Sequence, residues 1–258
     1  MGPSVQVSSI KDIVSRAPLG SRRGEPRFLY RGESKLYTVP CEPKAFRDDL
    51  YRKSNQLFML DPILSKVSKW KKEVMIAEGR PLITKTPLEE MIMAQQYGVA
   101  TRLLDWSLNP LVATWFAVSD QHDLPGYVYA STSTAKHVAP EFDFADVPEE
   151  NDAHDDRYVA LVANPYNEQR HKKVKFNQVH YFRPSYLPDA RMVAQSGVIS
   201  IHPEPDAFDM AKVEITYVIP PENKLTVQLE LNTLGINDRS IGVATREYLA
   251  VKANKGLL

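Results

Sequence analysis

Residues 94–117, AQQYGVATRLLDWSLNPLVATWFA, restrict the fold of this chain more than any other stretch. Leu88, Met91, Ile92 and Gln95 recur at helical spacing up to Gly98, whose missing side chain permits the left-handed turn that ends many helices. A helix is expected to stop there. Beyond it, Thr101, Arg102 and Asp105 sit among Leu103, Leu104 and Trp106, a bulky setting that draws the polar side chains out of bulk water and obliges them to find partners. Asn109-Pro110 has the form of a helix N-cap with proline at the first helical position. Leu111, Val112, Trp115, Phe116 and Val118 supply an apolar face, which predicts a buried helix from Pro110.

Upstream, Phe28-Leu29-Tyr30-Arg31-Gly32 is a short apolar run closed by glycine, the pattern of a buried strand ending in a turn. Arg31 has two readings. It is either a structural arginine paired with Asp105 or a main-chain carbonyl, or a ligand for an anion, since guanidinium matches phosphate in a two-pronged geometry.

Together, Tyr30-Arg31-Gly32, Gln95-Gln96-Tyr97-Gly98 and Thr101-Arg102-Leu103-Leu104-Asp105-Trp106 resemble the signature of the FRG domain. This family of bacteria and phages is named for a (Phe/Tyr)-Arg-Gly motif near its start. The resemblance runs from Phe28 to Leu249. The family usually has a histidine after the glutamine of the Ala-Gln pair, and this chain has Gln96, so no imidazole titrates there. The Tyr-Arg-Gly motif is also similar to the first motif of many ADP-ribosyltransferases, which implies that Arg31 holds the phosphate and ribose of NAD. Ser131-Thr132-Ser133 overlaps a strand motif of one subclass of those enzymes. These resemblances imply a cofactor site around Tyr30, Arg31, Gly32, Gln96, Thr101 and Gln195, with Arg31, Arg102, Asp105 and Glu247 as candidate catalytic residues.

Composition bounds the alternatives. The 258 residues are 43% hydrophobic and 25% charged, enough for a sizeable core. Thirty-two basic and 32 acidic side chains leave no global field to attract nucleic acid or anionic lipid. Cys41 is the only cysteine, so an internal disulfide and a cysteine-based metal cluster are excluded. The six histidines are scattered without ligand spacing, and no metal is expected. No apolar run approaches the roughly 20 residues of a membrane span, and the N-terminus lacks a signal-peptide core. A cytoplasmic protein with no membrane partner is the expectation.

Taken in order, Val5 to Ala17 reads as a weak amphipathic helix that leads through a polar linker to the first strand. Residues 1–26 are therefore assigned as helix and linker, 27–250 as the FRG-like domain and 251–258 as a tail. Pro43 to Trp70 predicts two amphipathic helices divided near Asp61-Pro62. Lys66, Lys69, Lys71 and Lys72 surround Trp70, either as a solvated face or as a surface that contacts a nucleic-acid backbone and stacks a base. Strands are predicted at Gly126–Ala130, Val159–Ala163, Val174–Phe182, Met192–Ile201 and Val213–Ile219, with an acidic loop over 140–156. Gln195 precedes Gly197 and either orients a ligand or bridges strand backbones. From Pro220 a helix is expected to turn Leu225, Leu229, Leu231 and Leu234 to the core and to end at Gly235. Gln228-x-Glu230 has the spacing of the catalytic glutamate of arginine-directed ADP-ribosyltransferases, but its mid-helix position argues for coincidence. A closing helix is expected from Ile241 to Lys252.

The fold class expected is one α+β domain, a helix-rich N-terminal half packed on a strand-rich C-terminal half, ADP-ribosyltransferase-like in the arrangement the motif implies. The function the resemblances imply is an NAD-using transferase, a toxin or anti-phage effector that modifies nucleic acid or protein and is neutralised by an antitoxin partner. The alternative is a non-catalytic binding module whose Arg31, Arg102 and Asp105 form a structural core.

Overall fold

The computed structural model describes residues 2–17, 27–47, 62–81, 87–133, 179–182, 190–202 and 208–242. In chain order the elements are β1 (Ser4–Gln6), α1 (Ile10–Val14), β2 (Arg27–Glu33), α2 (Pro62–Glu78), α3 (Pro87–Gln96) and β3 (Leu103–Ser107). They continue with α4 (Pro110–Val118), β4 (Gly126–Ser133), β5 (His180–Phe182), α5 (Ala190–Ala194), β6 (Gly197–Ile201), β7 (Val213–Ile219) and α6 (Pro221–Thr233). The seven strands form one sheet in the order β1-β7-β4-β2-β3-β6-β5. Among the described strands, only the β1–β7 pairing is parallel. The α+β class holds, and the sheet draws its strands from both halves of the chain.

Alternation along β2 sends Tyr30 and Gly32 to one face, where α4 and α6 cover the sheet, and Leu29, Arg31 and Glu33 to the other. The first face carries a core of Tyr30, Val112, Trp115, Val128, Tyr217, Val227 and Leu231. Helix α4 starts as its sequence demands: the Asn109 side chain accepts from the Leu111 amide at 2.9 Å, with Pro110 behind it. Its approach to the sheet needs glycine. A Cβ on Gly32 would lie 1.8 Å from the Ala113 carbonyl oxygen, and one on Gly126 2.3 Å from that of Ala117. The glycine of the Tyr-Arg-Gly motif is therefore where helix backbone rests on strand backbone.

On the other face, Leu29, Leu104, Trp106, Tyr129 and Val198 form a second core. A third, with Ile63, Val67, Met91, Ile92, Leu103, Ile199 and Ile201, joins α2 and α3 to the β3–β6 end. Helix α3 stops as expected: Gly98 has φ +88° and the Val99 amide returns to the Ala94 carbonyl at 3.0 Å.

Four expectations change. Val5 and Gln6 belong to strand β1, paired with Tyr217 and Val218, and the helix begins only at Ile10, where Ser9 caps it. Met192–Ile201 is not one strand but a helical turn and a strand, because Ser196 turns left-handed (φ +49°) and its amide returns to the Val193 carbonyl. Helix α6 occupies the predicted segment, yet it buries Lys224, Val227 and Leu231, while Leu225, Leu229 and Leu234 are exposed. The buried set follows the i, i+3, i+7 stripe, so of the four leucines only Leu231 faces the core. Lys224 is accommodated because its ammonium donates to the carbonyls of Ser34, Asp120 and Gln121 at 2.7, 3.0 and 2.8 Å. Finally, Leu103–Ser107, expected only to be an apolar setting for polar groups, is a central strand. The predicted helix before Asp61, the strand at 159–163, the acidic loop and the closing helix lie outside the described residues, apart from a 3-10 turn at Lys44–Phe46.

Candidate functional site

Strands β2 and β4 pair over seven residues, from Arg27↔Ser133 to Glu33↔Tyr127, whereas β2 and β3 share one pair, Tyr30↔Ser107. The sheet splits there, and the signature motifs flank the split. Arg31 reaches across it: Nη1 donates to the main-chain carbonyl of Asp105 at 2.8 Å, where a continued ladder would have placed backbone bonds. Its Nε donates to Glu33 Oε1 at 3.0 Å. The same oxygen accepts from Arg47 Nη2 at 3.3 Å, and Arg47 also donates to the Glu42 carbonyl and lies 3.8 Å over the ring of Tyr37. Glu33 is thus a buried carboxylate shared by two arginines.

The Arg31 side chain remains 15% exposed against 1% for Glu33, and its Nη2 has no hydrogen-bond partner among the described residues. Burial works against its charge, but Glu33, with Asp105 contributing, outweighs that and raises its pKa. Glu33 Oε2 and the Tyr129 hydroxyl are buried with no hydrogen-bond partner among the described residues. Burial, then Glu33, pushes the Tyr129 hydroxyl far up, so it stays a neutral donor. Burial and Glu33 likewise push the Cys41 thiol well up, which leaves that cysteine unreactive.

On the β3 side, Thr101 Oγ1 donates to Gln95 Oε1 at 2.6 Å, and Gln95 Nε2 donates to Asp105 Oδ2 at 2.7 Å. Gln95 closes the last turn of α3, and so the helix end and the strand are locked through one amide. Asp105 is the exposed member of an otherwise buried strand. Behind β3, Trp106 Nε1 donates to Ser200 Oγ at 2.8 Å, and Ser200 Oγ lies 2.9 Å from His202 Nε2. Burial, with Arg31 adding to it, depresses the His202 pKa to about 3, so the imidazole is neutral.

The structure therefore brings Arg31, Thr101 and Asp105 together. Arg102 is 1% exposed, with its carbonyl accepting from the His202 amide, and does not open onto the split. Tyr30 is buried in the α4 core, and Gly32 supports α4. Gln96 is half-buried at the end of α3, next to the residue that makes the Asp105 contact. The Gln195 side chain donates to the Ile241 carbonyl at 3.0 Å and its own carbonyl accepts from Ser107, the backbone-bridging arrangement. Ser131 is buried and donates to the Lys212 carbonyl. Glu230 lies mid-helix and holds Ser9 and the Ile10 amide. Glu247 lies outside the described residues.

Sequence reasoning missed Glu33, Arg47, Gln95 and Tyr129. Glu33 was within reach, because residues two apart on a strand share a face with Arg31. Gln95 lies on the stripe of Met91 and Ile92, but only the fold shows what it touches. Nothing local in the sequence marks Arg47 or Tyr129.

The fold and site define an α+β domain built on a split sheet, with the Tyr-Arg-Gly strand and the Thr-Arg-Leu-Leu-Asp-Trp strand on either side of the split. The family model of the FRG domain matches residues 26–124, from β2 to the loop after α4. Comparison with curated proteins and with solved structures gives no match. No group of three or more histidine, cysteine, aspartate or glutamate side chains among the described residues could hold a metal ion, and no described helix is long and apolar enough to cross a membrane.

Proposed function

We propose that this chain is an NAD-using ADP-ribosyltransferase-like enzyme, a toxin or anti-phage effector that modifies nucleic acid or protein. The observation that carries the reading is the partly exposed Arg31 guanidinium at the split, held by Glu33 through Nε and with Nη2 uncommitted among the described residues. Such a group suits the diphosphate of a dinucleotide. The buried Glu33 Oε2 and Tyr129 hydroxyl beside it are groups that a polar ligand would complete.

In the transfer, the bond between the ribose anomeric carbon and the pyridinium nitrogen breaks, and its electron pair leaves with nicotinamide. The carbon becomes cation-like and bonds to an acceptor oxygen or nitrogen, whose proton passes to a base. Asp105, exposed and oriented by Gln95, supplies the negative charge that such a centre requires. Glu33 positions Arg31. The toxin or defence role and a neutralising partner rest on the family's occurrence in bacteria and phages.

A second reading has its own support. Arg31 already makes two bonds within the protein, and Arg102 is buried, as in a binding module whose signature holds the fold together. Purified protein incubated with labelled NAD and cell lysate, then separated into protein, RNA and DNA, decides between them. Label in one fraction, lost in folded Arg31→Lys and Asp105→Asn variants, is the expected result. Intact NAD with no labelled fraction overturns the transferase reading.

A further inference from the structure

We infer that the end of α3 and the adjoining face of α2 form a binding surface for single-stranded nucleic acid, with Tyr97 as its stacking platform. Tyr97 is 70% exposed, although it is a large aromatic. One side of its ring is taken by Trp70, stacked at a centroid distance of 5.8 Å and an interplanar angle of 30°. An aromatic pair fixed in this way leaves ring surface in solvent at little entropic cost for a base to cover.

The charge around the pair suits a phosphate chain. Lys66, Lys69 and Lys72 on α2 are exposed, and Lys66 lies one turn from Trp70 on the same helix face. The Lys44 ammonium donates to the Gly98 carbonyl at 2.9 Å, which puts a further cation beside Tyr97 from a different segment. Lys71 is neutralised by its ion pair with Glu90, and Glu73 is an exposed acid on the same helix. Lys44 and Lys66 flank the exposed aromatic, with Lys69 beside them on α2 and Lys72 on the far side of that helix, a pattern that suits a strand alternating phosphates and bases.

The surface adjoins the split in the sheet. Tyr97 follows Gln95 by two residues, and Gln95 holds Asp105. A strand stacked on Tyr97 would reach the site from the α3 side. Its role in presenting an acceptor rests on the transferase reading, whereas binding itself does not.

The test is direct binding without NAD, so that its failure and that of the transferase reading are separate. Fluorescein-labelled oligo(dT) and oligo(rU) of about 12 nucleotides are titrated with the full chain at low salt and read by anisotropy. Tyr97→Ala is expected to weaken binding about tenfold, while Tyr97→Trp retains it. Replacing Lys66 and Lys69 with alanine together is expected to flatten the slope of log affinity against log salt by about 1.4. Folding of each variant is checked by circular dichroism. Absence of binding at about 50 mM salt, equal affinity of Tyr97→Ala and wild type, or equally tight binding of a polyglutamate peptide would each overturn the inference.

Discussion

Replacing Gly32 with alanine tests the account of the Tyr-Arg-Gly motif most directly. Gly32 is not among the residues with positive φ, so alanine fits its backbone conformation and would ordinarily stabilise by about 0.4–1 kcal/mol through the unfolded chain. The obstacle is space. The new Cβ would sit 1.8 Å from Ala113 O and 2.9 Å from Ala117 N, so the α4 and β2 backbones must separate by more than 1 Å to reach even 3.0 Å. Both obstacles are main chain and neither can rotate away, so the penalty falls at the upper end of overpacking, about 3 kcal/mol. A net loss of about 2–3 kcal/mol in a chain of this size lowers Tm by roughly 5–10 °C. Gly98→Ala is the contrast: its φ of +88° carries strain, but nothing lies within 4 Å, so a loss of only about 1 kcal/mol is expected. Thermal unfolding followed by circular dichroism reads both. A Gly32→Ala protein that melts within a degree or so of wild type would refute the close contact between α4 and β2.

Three further outcomes follow from the packing. His202 is neutral in the fold, with a pKa near 3 against 6.5 in the unfolded chain; the unfolded state therefore binds the extra proton below pH 6.5, and this stability is present above that pH and lost as pH falls. Between pH 7 and 5 the loss is roughly 2 kcal/mol, and urea midpoints should show a smaller acid loss in His202→Gln. Lys224→Met removes the ammonium that joins Ser34, Asp120 and Gln121, and a loss of about 3 kcal/mol in urea unfolding is expected; an unchanged midpoint would mean that water replaces it freely. Glu230→Ala frees Ser9 and the Ile10 amide at the start of α1, and faster amide exchange confined to the N-terminal segment is the expected signature, with about 1 kcal/mol lost.

Much of the local structure was legible in the sequence because its causes are local. Asn109-Pro110 starts a helix and Gly98 stops one through backbone rules that act within a few residues. Alternation identified β4 and β7, and the signature motifs pointed to the stretch that the FRG family model matches. The apolar run at 192–201 misled, because periodicity over so short a run does not separate a helical turn from a strand. On α6 the leucines outnumbered the residues that set its buried face, and Lys224 was invisible because its three carbonyl partners come from two distant loops.

Chain turns, apolar segments and the signature residues can all be read along the chain. What those residues touch is set by packing. It gave Gly32 its role by laying α4 across it, drew Arg31 to Glu33 rather than to the Asp105 carboxylate, and joined Gln95 to Asp105. The physical reason is that capping and alternation are set by neighbours in the chain, whereas burial and ion pairing depend on strands brought together from far apart. A split between β2 and β3 has no local signature at all.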